Sequence, residues 1–145
     1  MLFQFEDLRA SAVDTGSPLA LLICDLDTFK SINDVHGHQR GDAVLTGTAG
    51  AIRGCLRPTE LVFRVGGEEF VVLVVGCGPE SAVSVGERVR VAVEAARPGG
   101  LPVTCSVGVG VATDDEVDFD GACSRGVLVE YCDRYNISIY VRMNM

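Results

Sequence analysis

The hydrophobic pattern of this chain changes period several times, and the changes mark its elements. Residues 19–24, Leu-Ala-Leu-Leu-Ile-Cys, form an unbroken apolar run that reads as a buried strand, and Asp25-Leu26-Asp27 closes it with two carboxylates. A short helix is predicted over 28–34 and a longer one over 42–56, the latter softened by Gly47, Gly50 and Gly54. Two apolar runs, 61–65 and 70–75, flank Gly66-Gly67; adjacent glycines supply the positive φ angles of type I′ and II′ turns, so the spacing predicts a two-residue hairpin. Pro79 opens a helix that runs to about residue 96, with Val83, Val89, Val91 and Val93 at its apolar positions, and Pro98-Gly99-Gly100 ends it. Residues 103–112 alternate Val with Ser and Gly as a strand does, and 135–141 alternate apolar with polar and predict an edge strand. The order β-α-α-β-β-α-β predicts an α/β (α+β) fold, a mostly antiparallel central sheet with helices on one face.

At 145 residues the chain, 1–145, is expected to be one domain with a sizeable core, and 48% hydrophobic residues exclude a disordered polymer. A formal charge of −8 with no basic stripe excludes a nucleic-acid surface, because neutralising a phosphodiester backbone takes clustered Lys and Arg. A nucleotide stays a candidate ligand when a metal ion brings the positive charge. No apolar run approaches the ~20 residues of a membrane helix, so no membrane contact is expected. The start, Met1-Leu2-Phe3-Gln4-Phe5-Glu6-Asp7, lacks the basic region of a signal peptide, and the chain reads as cytoplasmic. Cys24, Cys55, Cys77, Cys105, Cys123 and Cys132 are scattered with no C-x-x-C pair, which disfavours zinc and predicts reduced cysteines, several of them in the core.

The stretch Arg64-Val65-Gly66-Gly67-Glu68-Glu69-Phe70 hangs two carboxylates on the predicted hairpin, which by itself is an ordinary way to keep a turn polar. Asp25 and Asp27 change that weighting, since carboxylates delivered by two strand ends can share a metal ion and paired glycines let a phosphate approach the backbone. Neighbours on a regular strand point to opposite faces, so Glu68 and Glu69 aim at one point only if the turn distorts the backbone. Lys30, the only lysine of the chain, is either a solvated helix residue or a phosphate contact. Asp42, ahead of Ala43-Val44-Leu45, reads as the N-cap of the helix it opens. His36 and His38 suit packing or hydrogen bonding better than ligation of an oxygen-preferring metal.

The run Asp25-Leu26-Asp27-Thr28-Phe29-Lys30-Ser31-Ile32-Asn33-Asp34, continued by Gly37-His38, Gly41-Asp42 and the GGEEF of Gly66-Gly67-Glu68-Glu69-Phe70, resembles the GGDEF family of diguanylate cyclases in order and spacing over roughly residues 19–112. The resemblance implies a fold similar to the palm of polymerases and class III nucleotidyl cyclases, a mostly antiparallel sheet surrounded by helices. It implies bacterial signalling by condensation of two GTP into cyclic di-GMP with release of two pyrophosphates, across a homodimer in which each copy holds one GTP. Attack of a ribose 3′-hydroxyl on an α-phosphate needs the hydroxyl's pKa lowered and the phosphate charge offset, and two Mg2+ ions, or Mn2+ in their place, do both. Asp25, Glu68 and the Leu26 carbonyl are then the metal ligands and Glu69 a secondary one; Glu68, Glu69 and Asp25 form the catalytic set, with Glu68 as the general base if one acts. Asp42 and Asn33 match the guanine-contacting positions, and a carboxylate suits guanine because its N1–H and N2–H2 donors lie side by side. Backbone N–H groups of Asp27, Thr28 and Phe29 would cradle the β- and γ-phosphates, with Lys30 adding charge and Gly66 and Gly67 admitting substrate to the backbone.

Three departures from the family pattern bear on function. The usual opening D-x-L-T-G-L-x-N-R-R is missing, so the domain is expected to be N-terminally trimmed, with a sensory or receiver domain absent from this chain. Where the family's inhibitory product site reads R-x-x-D, this chain has Arg57-Pro58-Thr59-Glu60, whose longer glutamate makes the site degenerate; a loop with an incidental ion pair is the alternative. Residues 117–145 lack the family's phosphate-binding lysine, and that atypical tail keeps open a second function: a noncatalytic module that binds GTP or cyclic di-GMP and signals to a partner protein.

Overall fold

Strand β1 (Leu19–Leu26) organises the molecule because it is apolar towards both sides: Ala20, Leu21, Leu22, Ile23 and Cys24 are all buried. The computed structural model describes residues 19–64, 67–112 and 140–141. After β1 come α1 (Phe29–His36), α2 (His38–Cys55), β2 (Leu61–Arg64), β3 (Glu69–Val75), α3 (Pro79–Ala96), a 3-10 turn (Pro98–Gly100), β4 (Cys105–Ala112) and β5 (Tyr140–Val141). The strands form one sheet in the order β2-β3-β1-β4-β5 with every pair antiparallel. β1 is therefore hydrogen-bonded on both sides along its length.

Side chains alternate across each strand, and the register sorts them into two faces. Ala20, Leu22, Cys24 and Leu26 of β1, Phe70, Val72 and Val74 of β3, and Cys105, Val107 and Val109 of β4 share one core with Val44, Leu45 and Ile52 of α2 and Ala82, Val85, Val89 and Val93 of α3. At about 1.5–3 kcal/mol for each fully buried aliphatic or aromatic side chain, this layer is the main source of stability. Val91, expected on the apolar side of α3, is instead 48% exposed, because the 3.6-residue period that buries Val85, Val89 and Val93 turns it away from the sheet. The opposite face carries Leu21 and Ile23 of β1 with Val71 and Leu73 of β3, also buried, and then turns acidic at the ends of the strands, with Asp25 and Glu69.

Three boundaries differ from the sequence expectation in ways that matter for the site. β1 continues two residues past Cys24, so Asp25 is a strand residue. α2 begins at His38, where Gly37 at φ 86° reverses the chain without a side-chain cap, and Asp42 lies exposed inside the helix instead of capping it. The last registered pair between β2 and β3 among the described residues is Arg64 with Phe70, which leaves an odd number of residues between them and does not fit a two-residue turn. A long-range and a local contact fix the segment instead: the Leu26 N–H donates to the Glu68 carbonyl at 3.2 Å, and the Arg64 guanidinium donates to the Gly67 carbonyl at 3.0 Å. The edge strand expected over 135–141 is present at Tyr140–Val141, paired to Gly110 and Val111; the rest of that prediction, like Val65, Gly66 and the segment 1–18, lies outside the described residues.

Candidate active site

Pairing of β1 with β3 sets Asp25 directly across from Glu69, and pairing with β4 sets Ser106 on its other side. Directly opposed residues have Cβ atoms within about 5.5 Å, so two carboxylates share one point at the end of the central strands. Glu68, half-buried, precedes the strand and is tied to β1 through its carbonyl. The sequence favoured Glu68 as Asp25's partner; the register gives Glu69 the facing position. Like charges held opposite one another are destabilising, and a cation between them removes that cost. Among the described residues no three His, Cys, Asp or Glu side chains gather around a metal-sized point. That donor set fits Mg2+, which takes one or two carboxylates and fills its octahedron with water and substrate phosphate.

The turn from β1 to α1 is two residues long, Asp27 and Thr28. Thr28 adopts φ 57°, ψ 28°, a left-handed conformation that a β-branched residue avoids and that costs about 1–3 kcal/mol. Asp27 is bonded to the far strand at every polar group that faces it: its N–H donates to the Thr104 carbonyl at 3.0 Å, and its two carboxylate oxygens accept from Thr104 Oγ1 at 2.8 Å and Ser106 Oγ at 2.7 Å. The Asp27 N–H is thus spent, which corrects its expected part in a phosphate cradle. Thr28 and Phe29 stand at the uncapped start of α1, and Lys30 follows them, exposed.

Asn33 of α1 lies against Gly41 of α2, the residue before Asp42. Gly41, buried, admits it: a Cβ at position 41 would run into Asn33 Oδ1 and lie 3.4 Å from Phe29 Cζ. Gly41→Ala is therefore expected to swing the Asn33 amide away. Because alanine raises helix propensity by up to about 1 kcal/mol, thermal stability should stay within about 1 kcal/mol of wild type while the side-chain amide resonances of Asn33 shift in NMR. A cleft of about 590 Å3 runs from Asp42 along α2 past Leu45, Thr46 and Ala49, walled by Val62 and Arg64 of β2 and by Phe70, with Arg53 at its far end. It is apolar enough for a planar ring and carries a carboxylate at one end.

Cys24, next to Asp25, is buried against Cys105, and its thiol is pushed well up from its ordinary range by the hydrogen bond to Cys105, then by burial and by the negative charges of Asp25 and Asp27. It stays protonated near neutrality and is a core residue, not a nucleophile. Burial is also the main cause raising the Cys55 and Cys77 thiols, and all four described cysteines are free.

At the opposite end of α2, Glu60 is buried and fully engaged. Its Oε2 accepts from the Arg57 N–H at 2.9 Å and its Oε1 from Arg88 Nη2 at 3.1 Å, while Arg88 Nη1 donates to the Cys55 carbonyl at 2.6 Å. Arg57 itself is exposed. Sequence reading missed Arg88, which lies 28 residues from Glu60, and no local pattern marks it. It also missed Arg64, Thr104 and Ser106; the last two left a signal, hydroxyls two apart at the start of a strand, facing the same way.

The family described as diguanylate cyclase, GGDEF domain, matches residues 1–125, a span wider than the motif-bearing stretch. The chain belongs to the GGDEF family. As a GGDEF domain it is 46% identical over 91 residues to the diguanylate cyclase DgcM of Escherichia coli K12, covering 62% of this chain and 22% of that protein. It is 35% identical over 126 residues to diguanylate cyclase A of Treponema denticola, covering 86% of this chain and 33% of the relative. The GGDEF chain thus spans between a fifth and a third of the length of these curated relatives. Among solved structures, the GGDEF domain of DgcB from Caulobacter crescentus in complex with c-di-GMP superposes with a TM-score of 0.69 at 29% identity, over 79% of this chain and 72% of that one. Among the described residues of this GGDEF domain, no helix is long and apolar enough to cross a membrane.

Proposed function

We propose that this GGDEF domain condenses two GTP molecules into cyclic di-GMP and two pyrophosphates, with one GTP held by each copy of a homodimer. The observation that carries the reading is the Asp25–Glu69 opposition at the end of the central strands. A divalent cation, Mg2+ or Mn2+, would supply there a lowered pKa for the 3′-hydroxyl and counter-charge for the pyrophosphate that leaves. Asp25 and Glu69 would hold it, with the Leu26 carbonyl as a further oxygen ligand, and Glu68 would be the group to which the hydroxyl proton passes if the protein takes it. Asp42 accepts the guanine N1–H and N2–H2 donors and Asn33 completes the edge, a pattern that adenine leaves unsatisfied. The N–H groups of Thr28 and Phe29, the Lys30 ammonium and the open backbone at Gly67, where a Cβ would meet nothing within 4 Å, receive the triphosphate. A sensory or receiver segment outside this chain brings two copies together. Glu60 already accepts bonds from the Arg57 N–H and from Arg88 within the fold, which fits Arg57 and Glu60 as a degenerate product site.

The test is incubation of concentrated protein with GTP and Mg2+ followed by chromatography. Cyclic di-GMP is expected, forming faster than in proportion to protein concentration because the dimer is the active species; excess ATP should neither react nor compete. One sequence feature favours a second reading, a nucleotide-binding module without turnover: Lys30 is the only lysine, so the tail offers none to the triphosphate. GTP binding with no product at any protein concentration would select it.

A further inference from the structure

We propose that Thr104 and Ser106 are positioning residues that hold the phosphate-binding end of α1 in place through Asp27. The proposal rests on the cyclase reading above and adds to it a role for two β4-side hydroxyls that touch no substrate. Two independent observations meet at this turn. Thr28 is held in the left-handed region, a backbone state that its β-branched side chain opposes, and it immediately precedes the helix whose first N–H groups have no side-chain cap. Asp27, immediately before it, is fixed by a carboxylate that accepts 2.8 Å and 2.7 Å hydrogen bonds from Thr104 and Ser106 and by an N–H bonded to the Thr104 carbonyl. Short hydroxyl–carboxylate bonds are charge-assisted and directional, so the pair sets both the position and the rotation of the Asp27 peptide.

The consequence is a division of labour along one short segment. A turn that needed only to connect β1 to α1 would carry glycine at position 28, where the left-handed conformation is free of steric cost. With threonine there, the conformation persists because the surroundings impose it, and the Asp27 clamp is the part of those surroundings that acts on the adjacent peptide. Release of the clamp lets Thr28 relax towards ordinary φ, which reorients the N–H groups of Thr28 and Phe29. Asn33, one turn further along α1, has a second anchor in its contact with Gly41 of α2, which the clamp does not make. Loss of the two hydroxyls should therefore be felt by the triphosphate and not by the base.

The experiment compares GTP and guanosine binding, by calorimetry and ligand-observed NMR with Mg2+ present, in wild type and in Thr104→Val/Ser106→Ala. The expected result is a loss of about tenfold in GTP affinity with guanosine affinity unchanged. The hydroxyl-keeping exchange Thr104→Ser/Ser106→Thr should restore GTP affinity, and so should Thr28→Gly added to the hydroxyl-free variant, to within about threefold of wild type. Unchanged GTP affinity, an equal loss of GTP and guanosine, or failure of Thr28→Gly to restore binding would each overturn the assignment while leaving the cyclase reading intact. Wild type that binds no GTP would remove the cyclase reading and the assignment together. If the double variant does not fold, the single Ser106→Ala, which keeps the Thr104 hydroxyl and both strands, carries the same comparison.

Discussion

Asp25→Asn is expected to abolish cyclic di-GMP formation, lowering turnover by on the order of a thousandfold. Asparagine keeps the size of the side chain and removes its charge, so the site loses a hard anionic ligand and several kcal/mol of transition-state charge stabilisation go with it. Adding Mg2+ should raise the melting temperature of wild type and not that of the variant, since only the former binds the ion in its folded state. A variant that keeps a tenth or more of wild-type turnover would sink the assignment of Asp25 as a ligand.

The second large effect is on stability. Arg88→Ala should destabilise the domain by about 3 kcal/mol, because the Glu60 side chain is only 4% exposed and a buried carboxylate that loses its cationic partner keeps its desolvation cost. The Arg88 side chain is itself 33% exposed, which puts the expectation at the low end of the range for buried pairs. A second loss accompanies it: the Cys55 carbonyl at the end of α2 gives up its 2.6 Å donor. For a chain of this length the melting temperature should fall by about 6–12 °C. The double variant Arg88→Met/Glu60→Met, which removes both charges, should recover most of that loss, and with the single variants Arg88→Met and Glu60→Met it closes a four-member cycle that isolates the pair. A single-variant change below about 1 kcal/mol would mean that water reaches Glu60 through the exposed side of Arg88.

What the sequence made legible follows from how local each signal is. The apolar run of β1 needs no partner to be recognised, and Asp25 at its end was readable for the same reason. Asn33 and Asp42 were paired by the motif's spacing alone, and the fold adds that Asn33 lies against Gly41. Asp42 as a helix cap was not, since the true start of α2 is made by a positive-φ glycine, Gly37, with no capping side chain to read. The facing of Asp25 by Glu69 could not be read from the order Glu68-Glu69; it depends on a register set by the whole length of β1 against β3 and by the Leu26–Glu68 backbone bond. The Glu60–Arg88 pair and the Asp27 clamp join segments 28 and 77–79 residues apart, and such contacts leave little trace in either segment alone.

The sheet order has a kinetic meaning. Asp25 lies on a strand bonded on both sides, whereas the cleft wall formed by Val62 and Arg64 belongs to the four-residue β2, the edge of the sheet among the described residues. Edge segments open in small, frequent fluctuations and central strands only when the whole domain does. A population that has let go of β2 would still present its two opposed carboxylates intact. The cleft could then open at its edge without the Asp25–Glu69 pair ever being taken apart.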